Sequence, residues 1–137
     1  MNVGGLLLKG NIVRIVTLSG SKNDHIRIAE KFHKLELPAV PTQEDIKIFV
    51  LALAAYYSEN SLDLLCINQR ATSGMHAGGS ATFRNEGIIL ATSPIPVKQI
   101  HSSTLAATER RQSHLKTGKP EPKELAKAYE LAFEGLE

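Results

Sequence analysis

The run Leu64-Leu65-Cys66-Ile67-Asn68-Gln69-Arg70, leading into Ala71-Thr72-Ser73-Gly74-Met75-His76-Ala77-Gly78-Gly79-Ser80, narrows the folds open to this chain more than any other stretch. An apolar strand ends on polar residues, crosses a glycine-rich turn and opens into a helix, as in mixed α/β domains. Ligands and chemistry in such domains gather beyond the C-terminal ends of strands. The residues standing there are Asn68, Gln69 and Arg70. A hard divalent cation asks for carboxylates, and this point of the chain offers none.

Three strand-like runs come earlier. Val3–Lys9 is apolar, the Gly10-Asn11 dipeptide signals a turn, and Ile12–Leu18 is rich in β-branched residues. The third run covers His25–Phe32, or reaches Leu37. Short connections favour antiparallel hairpins here. After Pro38 and Pro41, Thr42 offers an N-cap hydroxyl, with Gln43, Glu44 and Asp45 in the first turn of a helix. Ile46, Phe49, Val50, Leu53, Ala54 and Tyr57 give that helix a core face. Ile48, Leu51, Ala52, Ala55 and Tyr56 add apolar surface elsewhere, so the helix is either well buried or part of an oligomer interface.

Leu62–Gln69 is the fourth strand, apolar on both faces as a central strand should be. A helix starts near Gly78–Ala81 and passes through Phe83, Gly87, Ile88 and Leu90. Pro94 and Pro96 bracket the start of a fifth strand, Val97–Ile100. Ser102 or Ser103 caps a short helix through Thr108 to Gln112, and Leu125, Ala128, Ala132 and Leu136 mark a last helix. The order β-β-β-α-β-α-β-α predicts a five-stranded mixed sheet, with the last two strands parallel to the first. This is the order of the ribonuclease H-like fold. A chain of 137 residues fits one such domain, 1–137.

The formal charge of +2 permits a nucleic-acid partner without requiring one. Its distribution is more telling. Lys98, Arg110, Arg111, Lys116 and Lys119, with His101 and His114, face the single acid Glu109 between positions 98 and 119. Such a run is either a solvated face or a phosphate-contacting one. Cys66, the only cysteine, excludes an intrachain disulfide and sits in an apolar strand, which predicts a buried, inert thiol. The other histidines (His25, His33, His101, His114) lack zinc-ligand spacing. Ser73 and Ser80 lie near His76, but no Gly-x-Ser-x-Gly frames a nucleophile. Leu6-Leu7-Leu8 is too short for a signal-peptide core, and no run is long enough to span a bilayer. The expectation is a cytoplasmic protein without membrane contact.

Leu8-Lys9-Gly10-Asn11, Ile67-x-Gln69-Arg70 and Gly74-x-x-Ala77-Gly78-Gly79 before Phe83 resemble a small bacterial family. It is catalogued as domain of unknown function 3010 and grouped with RuvC-like members of the ribonuclease H superfamily. The resemblance implies acids on strands one and four and near the last helix, which in active RuvC-like nucleases bind two Mg²⁺ ions for phosphodiester hydrolysis. It also implies a homodimer, by analogy. This chain departs from that pattern. The first-strand acid falls at Leu7 and the fourth-strand acid at Gln69, leaving Glu121 and Glu124 as residual acids beside Lys119 and Lys123. Compensation by Glu86 or Glu109 is the alternative.

The leading expectation is therefore a non-catalytic, degenerate RuvC-like domain, without resident metal, that contacts nucleic-acid backbone. Its anion-binding candidates are Lys9, Arg70, His76, Gly78, Gly79, Lys98, Arg110 and Arg111. The glycines before the helix either offer amide donors to an anion or only allow tight chain passage. Arg70 either holds a phosphate or pairs with Glu86. His76 has no carboxylate nearby in sequence to orient it. With aromatic content at 5%, base stacking is scarce and phosphate contacts should dominate. Two alternatives stand beside this reading. One is an active nuclease using Mg²⁺ or Mn²⁺ and other acids; the other is a homodimeric interaction module joined through the helix from Glu44 to Glu59.

Overall fold

The Gly10-Asn11 turn sets the register of everything around it. Gly10 takes a φ of +62°, with open space where a Cβ would stand, so a glycine adopts it without strain. In a computed structural model that describes residues 1–69 and 79–137, this turn joins β1 (Asn2–Lys9) to β2 (Ile12–Gly20). The two strands pair antiparallel from Asn2↔Ser19 to Lys9↔Ile12.

β2 outlasts each of its other partners. β3 (His25–Ile28) lies along Thr17–Gly20, and β4 (Lys34–Glu36) lies along Ile12–Arg14. The single third strand expected from the sequence is thus two, and the sheet has six strands rather than five. The break falls at Ala29, which turns left-handed at φ +54° while Phe32 N donates to Ala29 O at 3.1 Å.

α1 (Gln43–Glu59) begins with the capping box that Thr42 and Asp45 predict. Asp45 N donates to Thr42 Oγ1 at 3.2 Å, and Thr42 N donates to Asp45 Oδ2 at 2.8 Å. Phe49, Leu53 and Tyr57 are buried, as the spacing requires. Tyr56 is buried too, because its hydroxyl bonds Thr17 and its ring stacks on Phe32 at 4.4 Å. Ile48 and Leu51 remain exposed, at 57% and 68%.

β5 (Leu64–Asn68) runs parallel to β1, and β6 (Val97–Ile100) parallel to β5, as predicted. The sheet order is β3-β2-β1-β5-β6, with β4 beside β2. α2 (Ser80–Thr92), α3 (Ser102–Gln112), a 3₁₀ turn (Ser113–Leu115) and α4 (Lys123–Gly135) complete the chain. The cap of α3 is His101 rather than a serine: its ring accepts from Ser103 N. Among the described residues no helix is long and apolar enough to cross a membrane.

Each face of the sheet carries a core. Val3, Val16, Leu18 and Cys66 pack on Tyr129, Ala132 and Phe133 of α4. Leu6, Val13, Ile15, Leu65 and Ile67 pack on Phe49 and Leu53 of α1 and Ile89 of α2. Each such side chain contributes about 1.5–3 kcal/mol when fully buried. Gly5 lets α4 approach β1 closely, since a Cβ there would run into the Ala128 carbonyl and the Ala132 amide. Gly135 sits over Cys66 and Val3 in the same way. α4 therefore runs antiparallel to β1, with its N-terminus at the C-terminal end of that strand. That geometry defines the site.

Candidate anion-binding site

Lys9 ends β1, and the backbone on both sides of it is held by side chains from elsewhere. On one side, Leu8 N donates to Asn68 Oδ1 at 2.8 Å and Asn68 Nδ2 donates back to Leu8 O at 3.1 Å. On the other, Gly10 N donates to Thr82 Oγ1 at 3.0 Å and Asn85 Nδ2 donates to Gly10 O at 3.1 Å. Arg84 Nη2 adds a bond to Asn11 Oδ1 at 2.9 Å. The Lys9 side chain, 74% exposed, thus projects from a fixed anchor. Fixed backbone lowers the ordering cost of any contact that side chain makes.

Two hollows open beside it. The larger, about 360 Å³, is lined by Leu7, Lys9, Lys123, Glu124 and Lys127. The smaller, about 260 Å³, is lined by Lys9, Ile12, Arg14 and Glu124. Arg14 is placed there by register, directly opposite Leu7. Lys123 and Lys127 stand one helical turn apart on α4. Four cations therefore meet one carboxylate, Glu124, which lies 3.9 Å from Lys9 Nζ. No side chain caps the first turn of α4, so its positive dipole end adds to the field.

Leu7 occupies the centre, half-buried against the α4 core. Gln69 stands one residue beyond β5, exposed, its backbone N–H donating to Ile100 O at 2.8 Å. Glu121 lies exposed before α4. These residues do not fit a divalent cation pair. Leu7 offers no ligand, the Asn68 carboxamide is engaged by Leu8, and Glu124 faces Lys9. Among the described residues no three His, Cys, Asp or Glu side chains converge as a metal site would require.

The other anticipated contacts are dispersed. Lys98 pairs with Cys66, which faces Gly135 at the far end of α4, about 16 Å from Glu124 at 1.5 Å per residue. Arg110 and Arg111 lie exposed in the last turn of α3. Gly79 is the exposed N-cap of α2. None of these lines either hollow. Arg70, His76 and Gly78 lie outside the described residues. Two of the five cations in the basic run between 98 and 119 are neutralised. Lys116 meets Glu109 at 2.5 Å and Glu130 at 4.0 Å, and Lys119 meets Glu130 at 2.7 Å. The Lys116 hydrogen bond holds the Glu109 carboxyl below its usual range.

Arg14 and Lys127 were not singled out from sequence, and Lys123 was noted only as a neighbour of Glu121 and Glu124, though signals for all three exist. The two-residue turn fixes Leu7 opposite Arg14, and Lys123 and Lys127 share the helical i, i+4 spacing.

Comparison with known proteins accords with this architecture. RuvC from T. thermophilus in complex with a Holliday junction substrate superposes with a TM-score of 0.72 at 12% identity, covering 97% of this chain and 90% of that one. A second Thermus thermophilus RuvC structure gives 0.70 at 13% identity, covering 97% and 92%. At such identities the likeness establishes the RuvC-like, ribonuclease H-like fold alone. No curated protein matches the sequence. The model of one family, described as Protein of unknown function (DUF3010), matches residues 1–135, and the chain belongs to that family.

Proposed function

We propose that this chain is a RuvC-like domain that holds nucleic-acid backbone without cleaving it. Lys9, Lys123, Lys127 and Arg14 are the phosphate contacts. The carrying observation is the hollow at the end of β1, where the fold's nucleases place acids and this chain places leucine ringed by cations. Lysines act there as point charges on phosphate, and Arg14 adds a planar fork. Arg70, His76, Gly78 and Gly79, in the segment before α2, are proposed as further contacts, whereas Lys98, Arg110 and Arg111 stand apart from the hollow. Phosphate contacts carry little sequence information. Affinity should therefore vary little with sequence and fall steeply with salt.

The Holliday junction in the complex of the T. thermophilus neighbour makes a four-way junction the natural probe, beside duplex and single-stranded DNA. Fluorescence anisotropy at graded salt, with cleavage assayed in Mg²⁺ and Mn²⁺, tests the reading. Lys9→Ala should weaken binding on every sequence. Glu124→Gln should strengthen it, because the one opposing carboxylate is gone. Absence of binding to all probes would overturn the proposal. Metal-dependent cleavage lost in Glu124→Gln would replace it with the nuclease reading.

A homodimer is the second reading. The exposed Ile48 and Leu51, one turn apart on α1, favour it. Light scattering of the wild type and of Leu51→Glu decides it: a dimer that dissociates in the variant supports this surface, and a wild-type monomer removes it.

A further inference from the structure

The cationic surface does not end at Arg14. In β4, Lys34 is the cross-strand partner of Arg14, which is itself the partner of Leu7. Alternation fixes the face: Leu35 and its partner Val13 belong to the α1 side, so Lys34 and Arg14 point to the α4 side. Arg14 confirms this by lining a hollow with Lys9 and Glu124. Two like charges placed directly opposite on one face destabilise a sheet. Among the described residues neither meets a carboxylate in an ion pair. Glu36, two residues on from Lys34, shares that face as the cross-strand partner of Ile12, and it forms no ion pair with either cation.

An unneutralised pair adjoining a cationic hollow is the arrangement a polyanion relieves. We infer that Arg14 and Lys34 form a second phosphate subsite, and that the bound strand runs across the sheet, from α4 over β1 and β2 to the β4 edge. From β1 to β4 is two strand spacings, roughly 10 Å. Arg14 and Lys34 stand in one cross-strand row, so together they suit phosphates of a single backbone. This rests on the backbone-binding reading above and assigns it a path.

The test compares wild type, Lys9→Ala, Arg14→Ala and Lys34→Ala on one duplex probe, as log affinity against log salt. Each true phosphate contact removed should flatten the slope by about 0.9. Loss of slope in Lys34→Ala as well as in Lys9→Ala supports the path. An effect in Lys9→Ala with none in Lys34→Ala overturns the path and leaves the backbone-binding reading standing. A wild type that binds no probe overturns both. Thermal unfolding without nucleic acid gives an independent readout. Lys34→Gln should raise Tm by relieving the repulsion, and a lowered Tm would show that the two side chains are not opposed.

Discussion

Asn68 treats Leu8 as a neighbouring strand would, exchanging both carboxamide groups with its backbone at 2.8 and 3.1 Å. This closes the β1–β5 ladder one step beyond its last register pair, Leu6↔Ile67. Asn68→Leu removes both partners and leaves the Leu8 amide and carbonyl unsatisfied. We expect a loss of about 1–3 kcal/mol in denaturant unfolding. Asn68→Asp, which keeps the acceptor and loses the donor, should also weaken nucleic-acid binding by adding a negative charge beside the cationic hollow.

Gly4 and Gly5 are adjacent but not equivalent. A Cβ at Gly4 meets side-chain methyls of Leu62 and Leu65 at 3.1 and 3.2 Å, which can shift. A Cβ at Gly5 meets α4 backbone, which cannot move without displacing the helix. Gly5→Ala should therefore cost ~3 kcal/mol or more, and Gly4→Ala ~1 kcal/mol or less. Equal midpoints for the two variants would contradict the close helix–strand approach.

Burial pushes the Cys66 thiol from 9.0 up to about 12, and the Tyr129 hydroxyl from 10.0 up to about 12. Desolvation is the leading cause in both, and it raises Tyr56 and Tyr57 as well. Each group holds its proton more tightly folded than unfolded. Their stabilisation is complete below the unfolded values and is lost as pH rises from about 9 toward 12. Stability should be flat near pH 7–8 and decline steadily above pH 9. A thiol reagent at pH 8 should label Cys66 only after unfolding.

Lys116 belongs to the scaffold rather than to ligand binding. Its side chain is 2% exposed and meets Glu109 and Glu130, with the Phe133 ring 5.5 Å from its Nζ. Lys116→Met keeps the packing of the stem and loses the ion pairs. Glu130 retains Lys119 at 2.7 Å, and Glu109 is half-exposed, so we expect only about 1–2 kcal/mol of destabilisation. The salt slope of nucleic-acid binding should not change.

Much of the fold was legible in local chemistry. Prolines at 94 and 96 pin the start of β6, Thr42 and Asp45 announce α1, and the apolar spacing of Leu125, Ala128 and Ala132 marks α4. The split between β3 and β4 was not legible, because alanine gives no warning that Ala29 turns left-handed. Nor was the capping of α3 by an imidazole. At the site, Lys9 at the end of β1 followed from the hairpin, and Leu7 in the acid's place from the family resemblance. The companions did not, since charge counts along the chain cannot reveal which cations are already paired. Lys116 and Lys119 look available in sequence and are held by Glu109 and Glu130. Arg14, enclosed by apolar neighbours, looks incidental and lines the hollow.

The interruption at Ala29 has a bearing on how this protein survives at high concentration. A sheet's outermost strand is a template on which another chain can add itself, and a long, straight rim invites that growth. Here the outer side of β2 is covered by two segments of four and three residues with a turn between them. An incoming strand finds no continuous ladder longer than a few bonds. The same kink that hid one strand from sequence reading therefore guards this rim of the molecule against self-association by strand addition.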